Sequence, residues 1–260
     1  MAESRVKQFC DYARYYDLTY RDKDYDGECD FLEHVFEEFS TRPVKSILDV
    51  GCGTGQHAMA LAGRGHVVTG IDVSERAIKV ARGKFRKQHC RAQFVVADMR
   101  SFYLKTRFDA CICMFAAIGY LPETRDIQAA LARIRGHLSE GSLFVFDCWN
   151  GLAVLRTLPS VRVRTMHDGL RDIVRVAEPE LDAFHHLCRI KYQLIVSEGN
   201  TIVDRIEETH VMRFLFPQEI LHYLDEAGFR VLHMCSFPDV KQRVDENAWN
   251  IAVVAVAKGQ

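Results

Sequence analysis

Ile47-Leu48-Asp49-Val50-Gly51-Cys52-Gly53-Thr54-Gly55 runs a buried-type apolar strand directly into a glycine turn that opens a helix. Such a turn brings the backbone close beneath a ligand. Glycine at Gly51, Gly53 and Gly55 removes the side chains that would block the approach and permits positive φ angles. Three acids sit at three successive strand ends: Asp49 just before the glycines, Asp72 after the second strand, and Asp98 after the third, in Ala97-Asp98-Met99. Asp72 is placed to accept from both hydroxyls of a ribose. Asp98 with Met99 suits the exocyclic amine and the face of an adenine. A dinucleotide site is the rival reading, because Gly53, Gly55 and Ala58 alone satisfy G-x-G-x-x-A. Asp49 argues against it, since a carboxylate that close repels a pyrophosphate and favours a ligand carrying an ammonium and a sulfonium.

A second set of residues lies far along the chain. In an alternating strand His210 and Glu208 share one face, while Glu207 and Thr209 point the other way. The pair reads either as an oriented general base or as a solvated strand face. Tyr120 and Trp149 both fall just past the ends of core strands, where open α/β sheets bind ligands, so both are candidates for a second-substrate pocket with His210 above them. His185 and His186 read as surface residues. Near the start, Tyr12, Tyr15, Tyr16, Tyr20 and Tyr25 form either an amphipathic packing face or a cover over the ligand.

These residues need a scaffold, and the hydrophobic pattern supplies one. From Val44, short β-rich runs (46–50, 67–71, 93–97, 110–115, 143–146) alternate with amphipathic segments (56–62, 75–87, 126–138), which predicts a doubly wound, mostly parallel sheet with right-handed crossovers. Gly63 and Gly65 are read as closing the first helix, and Gly141 as following the helix that ends near Leu138. After Trp149 the style changes to longer alternating stretches, 173–176, 187–196 and 202–214, with Glu198-Gly199-Asn200 as a turn. That predicts an antiparallel β insertion over the active site. A helix over 217–227, with Pro217 at its start and Gly228 after its end, and strands over 230–235 and 251–257 complete a seven-stranded sheet. The expected division is a helical lid over 1–40, a core over 41–150, the insertion over 151–215 and the rest of the core over 216–260.

Composition narrows the function classes. Of 260 residues, 48% are hydrophobic, enough for a sizeable core. A balance of 34 basic against 35 acidic residues sets up no field toward nucleic acid or an anionic membrane. Residues 1–18 lack the apolar core of a signal peptide, and no apolar run approaches a bilayer span, so a cytoplasmic protein is expected. The nine cysteines include no C-x-x-C pair. They read as reduced, mostly buried thiols, with no metal site.

With these motifs in place, the chain resembles the class I S-adenosylmethionine-dependent methyltransferases, whose nucleotide-binding half would cover about 42–146. A narrower likeness is to N,N-dimethyltransferases of nucleotide-linked amino sugars. It rests on Tyr16-Asp17-Leu18, Lys23-Asp24-Tyr25, Asp98-Met99-Arg100-Ser101-Phe102, Cys113-Met114-Phe115-Ala116-Ala117-Ile118-Gly119 and Glu207-Glu208-Thr209-His210, which fall in that family's order and rough spacing along most of the chain. The resemblance implies S-adenosyl-L-methionine as cofactor, held by Tyr16, Tyr25, Asp49, Gly51, Cys52, Gly53, Asp72, Val73, Asp98, Met99 and Met114. It implies a small-molecule acceptor, a nucleotide sugar among the candidates, in a pocket of Trp149, Tyr120 and His210. The catalytic candidates are His210, Tyr120 and Glu208, in a monomer or homodimer. Two departures stand out: Tyr120 replaces the histidine that tends to follow Ile-Gly, and the segment 241–250 does not match the family's nucleotide-binding end. O-methylation of a sugar or other metabolite, N-methylation of an amino acid, a dinucleotide-dependent oxidoreductase, and a binding module with a degenerate site remain as alternatives.

Overall fold

The computed structural model describes residues 15–88 and 92–259. Tyr12, Cys10, Cys90 and the first part of the expected lid lie outside them. Seven strands form the main sheet: β1 (Ser46–Val50), β2 (Val67–Asp72), β3 (Ala92–Val96), β4 (Phe108–Cys113), β5 (Leu138–Trp149), β10 (Phe229–Ser236) and β11 (Asn250–Ala257). Their order is β10-β11-β5-β4-β1-β2-β3. The five strands from β5 to β3 run parallel, and β11 enters antiparallel between β5 and β10. This arrangement explains the unbroken apolar run of β11. Ile251 through Ala255 are fully buried because the strand is central and covered on both faces.

Helices α2 (Tyr25–Phe39), α3 (Gln56–Gly63), α4 (Glu75–Gln88), α5 (Thr124–Gly136) and α7 (Pro217–Glu226) cover the sheet. Asp24 caps α2 by accepting from Gly27 N at 2.8 Å, and Cys29, Phe31, Leu32, Val35 and Phe36 supply its buried side. Two apolar clusters result. One, around Phe144, Phe146 and Phe229, lies under α5 and α7; the other, around Leu61, Ile78 and Ile112, lies under α2, α3 and α4.

One expected boundary fails. The helix over 126–138 ends at Gly136, and Leu138 already begins β5; Gly141, with φ 79°, lies inside that strand and does not follow a helix. His137 makes the stop: its ring Nδ1 bonds Arg133 O and its backbone N bonds Ile134 O, so the turn is closed without glycine.

Beyond β5 comes a short helix α6 (Gly151–Thr157), which no periodicity signalled, and then a separate antiparallel sheet of β6 (Arg162–His167), β7 (Asp172–Asp182), β8 (Leu187–Glu198) and β9 (Thr201–Arg213). Its inner face carries two further apolar clusters that include Tyr15, Tyr120 and Trp149. The ends of this segment return to one point, where Leu215 N donates to Trp149 O and Gly151 N to Leu215 O. An insertion whose ends meet leaves the main sheet undisturbed.

Candidate active site

The turn after β1 has three left-handed glycines, Gly51 (φ 75°), Gly53 (φ 53°) and Gly55 (φ 79°). Gly51 N and Cys52 N both donate to Ile71 O, at 2.8 and 3.0 Å, which ties the turn to β2. A Cβ on Gly51 would stand 2.8 Å from that of Ala117, with Met99 beyond it, whereas a Cβ on Gly53 would meet nothing within 4 Å. The second position therefore faces an open cleft. Asp72 at the end of β2 accepts from Gly53 N at 2.9 Å and Ser74 N at 2.7 Å, and burial holds its carboxyl above the usual range against those two bonds. Asp49 is buried; burial, with the charge of Asp72 adding to it, pushes its carboxyl up to about 7, and its Oδ2 has no hydrogen-bond partner among the described residues. Asp98 is gripped by the guanidinium of Arg100, which also reaches Asp126.

Around this turn the other donor-side candidates divide. Val73 is exposed just past Asp72, and Met99 is half-buried under Gly51. Cys52 and Met114 are buried in the apolar cluster under α2 and α3. Tyr16 lies in the single helical turn α1 (Tyr16–Thr19), its ring 4.8 Å from that of Tyr20. Asp17, on the same turn, accepts from Thr54 Oγ1 at 2.6 Å and pairs with Lys84 at 2.8 Å, fastening this segment to the glycine turn. Tyr25 packs edge-on against His57, with ring centres 5.1 Å apart.

Facing the turn is the inner side of the second sheet. The Tyr120 hydroxyl, in the 3-10 turn Ala117–Tyr120 after β4, lies 2.8 Å from His210 Nδ1, and His210 Nε2 lies 3.1 Å from Glu208 Oε2. With Glu208 ionised and the imidazole neutral, Nε2 donates to the carboxylate and Nδ1 accepts from the tyrosine hydroxyl. His210 is 1% exposed and Tyr120 half-buried, which leaves the tyrosine as the member of the chain that meets the cleft. Trp149 packs beside Tyr120 and against Trp249, at 5.6 Å. The sequence reading missed Tyr192, packed edge-on against His210 with ring centres 4.9 Å apart, and Arg175, whose guanidinium lies 4.5 Å over the Tyr192 ring. Both could have been found from alternation, as β7 turns Ile173, Arg175 and Ala177 to one side and β8 turns Ile190, Tyr192 and Leu194 to one side. Also missed were Glu28, His57 and the role of Asp147. The buried Asp147 accepts from Ala116 N at 3.0 Å and clamps a loop in which Phe115 (φ 63°) and Ala116 (φ 53°) are both left-handed, a costly conformation for residues with a Cβ.

Residues 47–141 match the family profile described as a methyltransferase domain. The chain as a whole superposes on DesVI of Streptomyces venezuelae with a TM-score of 0.78 and 25% identity, covering 95% of this chain and 99% of that one. The chain carries an S-adenosylmethionine-dependent methyltransferase domain on the class I fold. A dTDP-3-amino-3,6-dideoxy-alpha-D-glucopyranose N,N-dimethyltransferase of Streptomyces fradiae is 28% identical to this methyltransferase over 228 residues, 87% of this chain and 86% of that one. The dTDP-3-amino-3,4,6-trideoxy-alpha-D-glucopyranose N,N-dimethyltransferase of Streptomyces venezuelae is 35% identical over 141 residues, and that alignment spans 57% of its length.

The methyltransferase's own residues fit this donor. The unpartnered buried oxygen of Asp49 suits a cation, the open space above Gly53 admits a nucleoside, and Asp72 keeps acceptor capacity beyond its two backbone bonds. A pyrophosphate would meet Asp49 at its least tolerable point.

Proposed function

We propose that this methyltransferase methylates the amine of a nucleotide-activated amino sugar. The observation that carries the reading is the match to an amino-sugar N,N-dimethyltransferase along 87% of this chain, and the Tyr120–His210–Glu208 chain gives the departing proton an exit.

S-adenosylmethionine, when bound, supplies an electrophilic methyl carbon on a positive sulfur. In the proposed assignment Asp72 holds the ribose, Met99 and Asp98 the adenine, and the Gly51–Gly55 turn the amino-acid end; Tyr16 and Tyr25 cover the cleft and exclude water. Trp149 and Tyr120 line the acceptor side. The donor would supply its methyl carbon to the amine lone pair, with the electrons of the carbon–sulfur bond passing to sulfur, and this chain's part is to align and dry the two. Alignment and water exclusion carry much of the acceleration. The methylated amine then sheds a proton to the Tyr120 oxygen while the tyrosine's own proton passes to His210 Nδ1, and Glu208 stabilises the imidazolium.

Because that chain is complete, a hydroxyl acceptor, which needs a base more than an amine does, is the second reading. Incubating the protein with radiolabelled donor and a panel of nucleotide-linked amino sugars, neutral sugars and amino acids decides between them. Transfer confined to the amino sugars is the expected result; transfer confined to hydroxyl acceptors would sink the amine reading.

A further inference from the structure

Lys23 lies on the turn between α1 and α2, and its ammonium enters the cleft at the carboxyl ends of β4 and β5. Nζ stands 4.8 Å from the centre of the Tyr25 ring and 4.7 Å from that of Phe115, and it pairs with Glu28 Oε1. Glu28 is held from its other side, with Oε2 2.7 Å from Nε2 of His57 in the first turn of α3, directly after the glycines. Burial, reinforced by the Lys23 charge, drives the His57 imidazole down to about 3, so it is neutral and leaves the Glu28 charge to Lys23. The charge of Asp147 reaches both Lys23 and His57.

An ammonium in this position is expensive for the fold. Burial lowers Lys23 to about 8, against the pull of Asp147 and Asp24. The surrounding helix does not depend on it, since Asp24 caps α2 and five apolar side chains dock it. A donor with an ammonium, a sulfonium and a carboxylate brings two positive charges and one negative into the cleft. Asp49 and Asp147 answer the positive ones. The carboxylate needs a cation at the same end, and Lys23 gives one of its three N–H donors to Glu28, leaving two.

The geometry points to Lys23 as the residue that holds the donor's carboxylate, with Glu28 and His57 fixing the lysine in place for it. The assignment rests on the donor being S-adenosylmethionine and is independent of the acceptor. It makes Lys23 a selector for the intact amino-acid end of the donor.

Calorimetric binding of S-adenosylmethionine and of its decarboxylated analogue, which lacks only the carboxylate, isolates this contact. The ratio of the two affinities is measured for the wild type and for Lys23→Met. A charge-assisted contact predicts that the preference for the intact donor falls by roughly ten- to hundredfold in the variant. Glu28→Gln, which leaves the ammonium in place, should keep a preference for the intact donor, and 5′-methylthioadenosine, which lacks the whole amino-acid end, should bind Lys23→Met as it binds the wild type. Lys23→Gln repeats the comparison should Lys23→Met not fold. A ratio unchanged within about twofold in the neutral variants overturns the assignment. Failure of the wild type to bind either form overturns it together with the donor itself.

Discussion

Tyr120, His210 and Glu208 act as a unit only if the proton leaving the acceptor passes through the tyrosine oxygen. Replacing His210 by Ala should lower kcat by about 10²–10⁴ with little change in donor affinity, and Tyr120→Phe should do the same with the imidazole still in place. Steady-state kinetics across pH checks both; a wild-type kcat in His210→Ala at every pH would show that positioning of an already neutral amine suffices. The buried acids make a second, separate prediction. Asp49 is raised to about 7 and Asp147 to about 6, chiefly by burial, so in the fold each keeps a proton that it would release on unfolding. Both therefore favour the fold at low pH, and that contribution is lost as pH rises through about 6–7. A cationic donor reverses the preference, because it stabilises the ionised carboxylates. Donor affinity should rise from about pH 5.5 to about pH 7.5, with protons released on binding. Calorimetry in buffers of different ionisation enthalpy measures that release; flat affinity and no release would remove Asp49 and Asp147 from the donor site.

The turn after β1 and the segment before α2 are mechanically one unit, joined by Asp17 to Thr54 and Lys84. Tyr15 extends the connection to the second sheet, packing with Ile173, Leu194, Val196 and Ile206. Donor binding should therefore slow amide exchange over residues 15–24, and Asp17→Asn should weaken that protection. Equal protection with and without donor would leave this segment as ordinary packing. Gly51 offers a stricter test of the turn itself. Its φ of 75° and a clash at 2.8 Å with Ala117 act together, so Gly51→Ala should cost about 1–3 kcal/mol in denaturant unfolding. Gly53→Ala has the φ penalty alone, because the space above it is open in the free protein. Its larger effect should appear in donor affinity, where the added methyl meets the ligand.

Across the molecule, the main sheet and the second sheet have their own apolar clusters and meet through the lid segment and the site. A ligand held in that junction stabilises both parts. At a donor concentration of about 100 times Kd the gain is about 2.7 kcal/mol. For a chain of this size that corresponds to a rise in Tm of about 5–11 °C. Thermal unfolding with and without donor measures it; no shift at saturating donor would contradict a site built between the two sheets.

The amino-acid sequence by itself determined the donor half. Strand and helix periods are local and a glycine turn announces its own backbone geometry, so β1 to β4, the Gly51–Gly55 turn and the position of Asp49, Asp72 and Asp98 at or near strand ends were legible. The placement of Glu208 and His210 on one face was legible too, through the period of two. Only the tertiary structure decided what that face meets. Tyr120 and His210 are ninety residues apart, and nothing local states that their side chains are 2.8 Å from each other. The same holds for Lys23, Glu28 and His57, whose contact depends on how α2 docks beside α3. The end of α5 at Gly136 was misread because glycine at 141 mimics a helix stop, whereas the His137 ring supplies the real one through a bond to Arg133 that no pattern of apolar residues encodes. Long-range contacts are set by packing and charge compensation among elements, and those become visible only when the chain is folded.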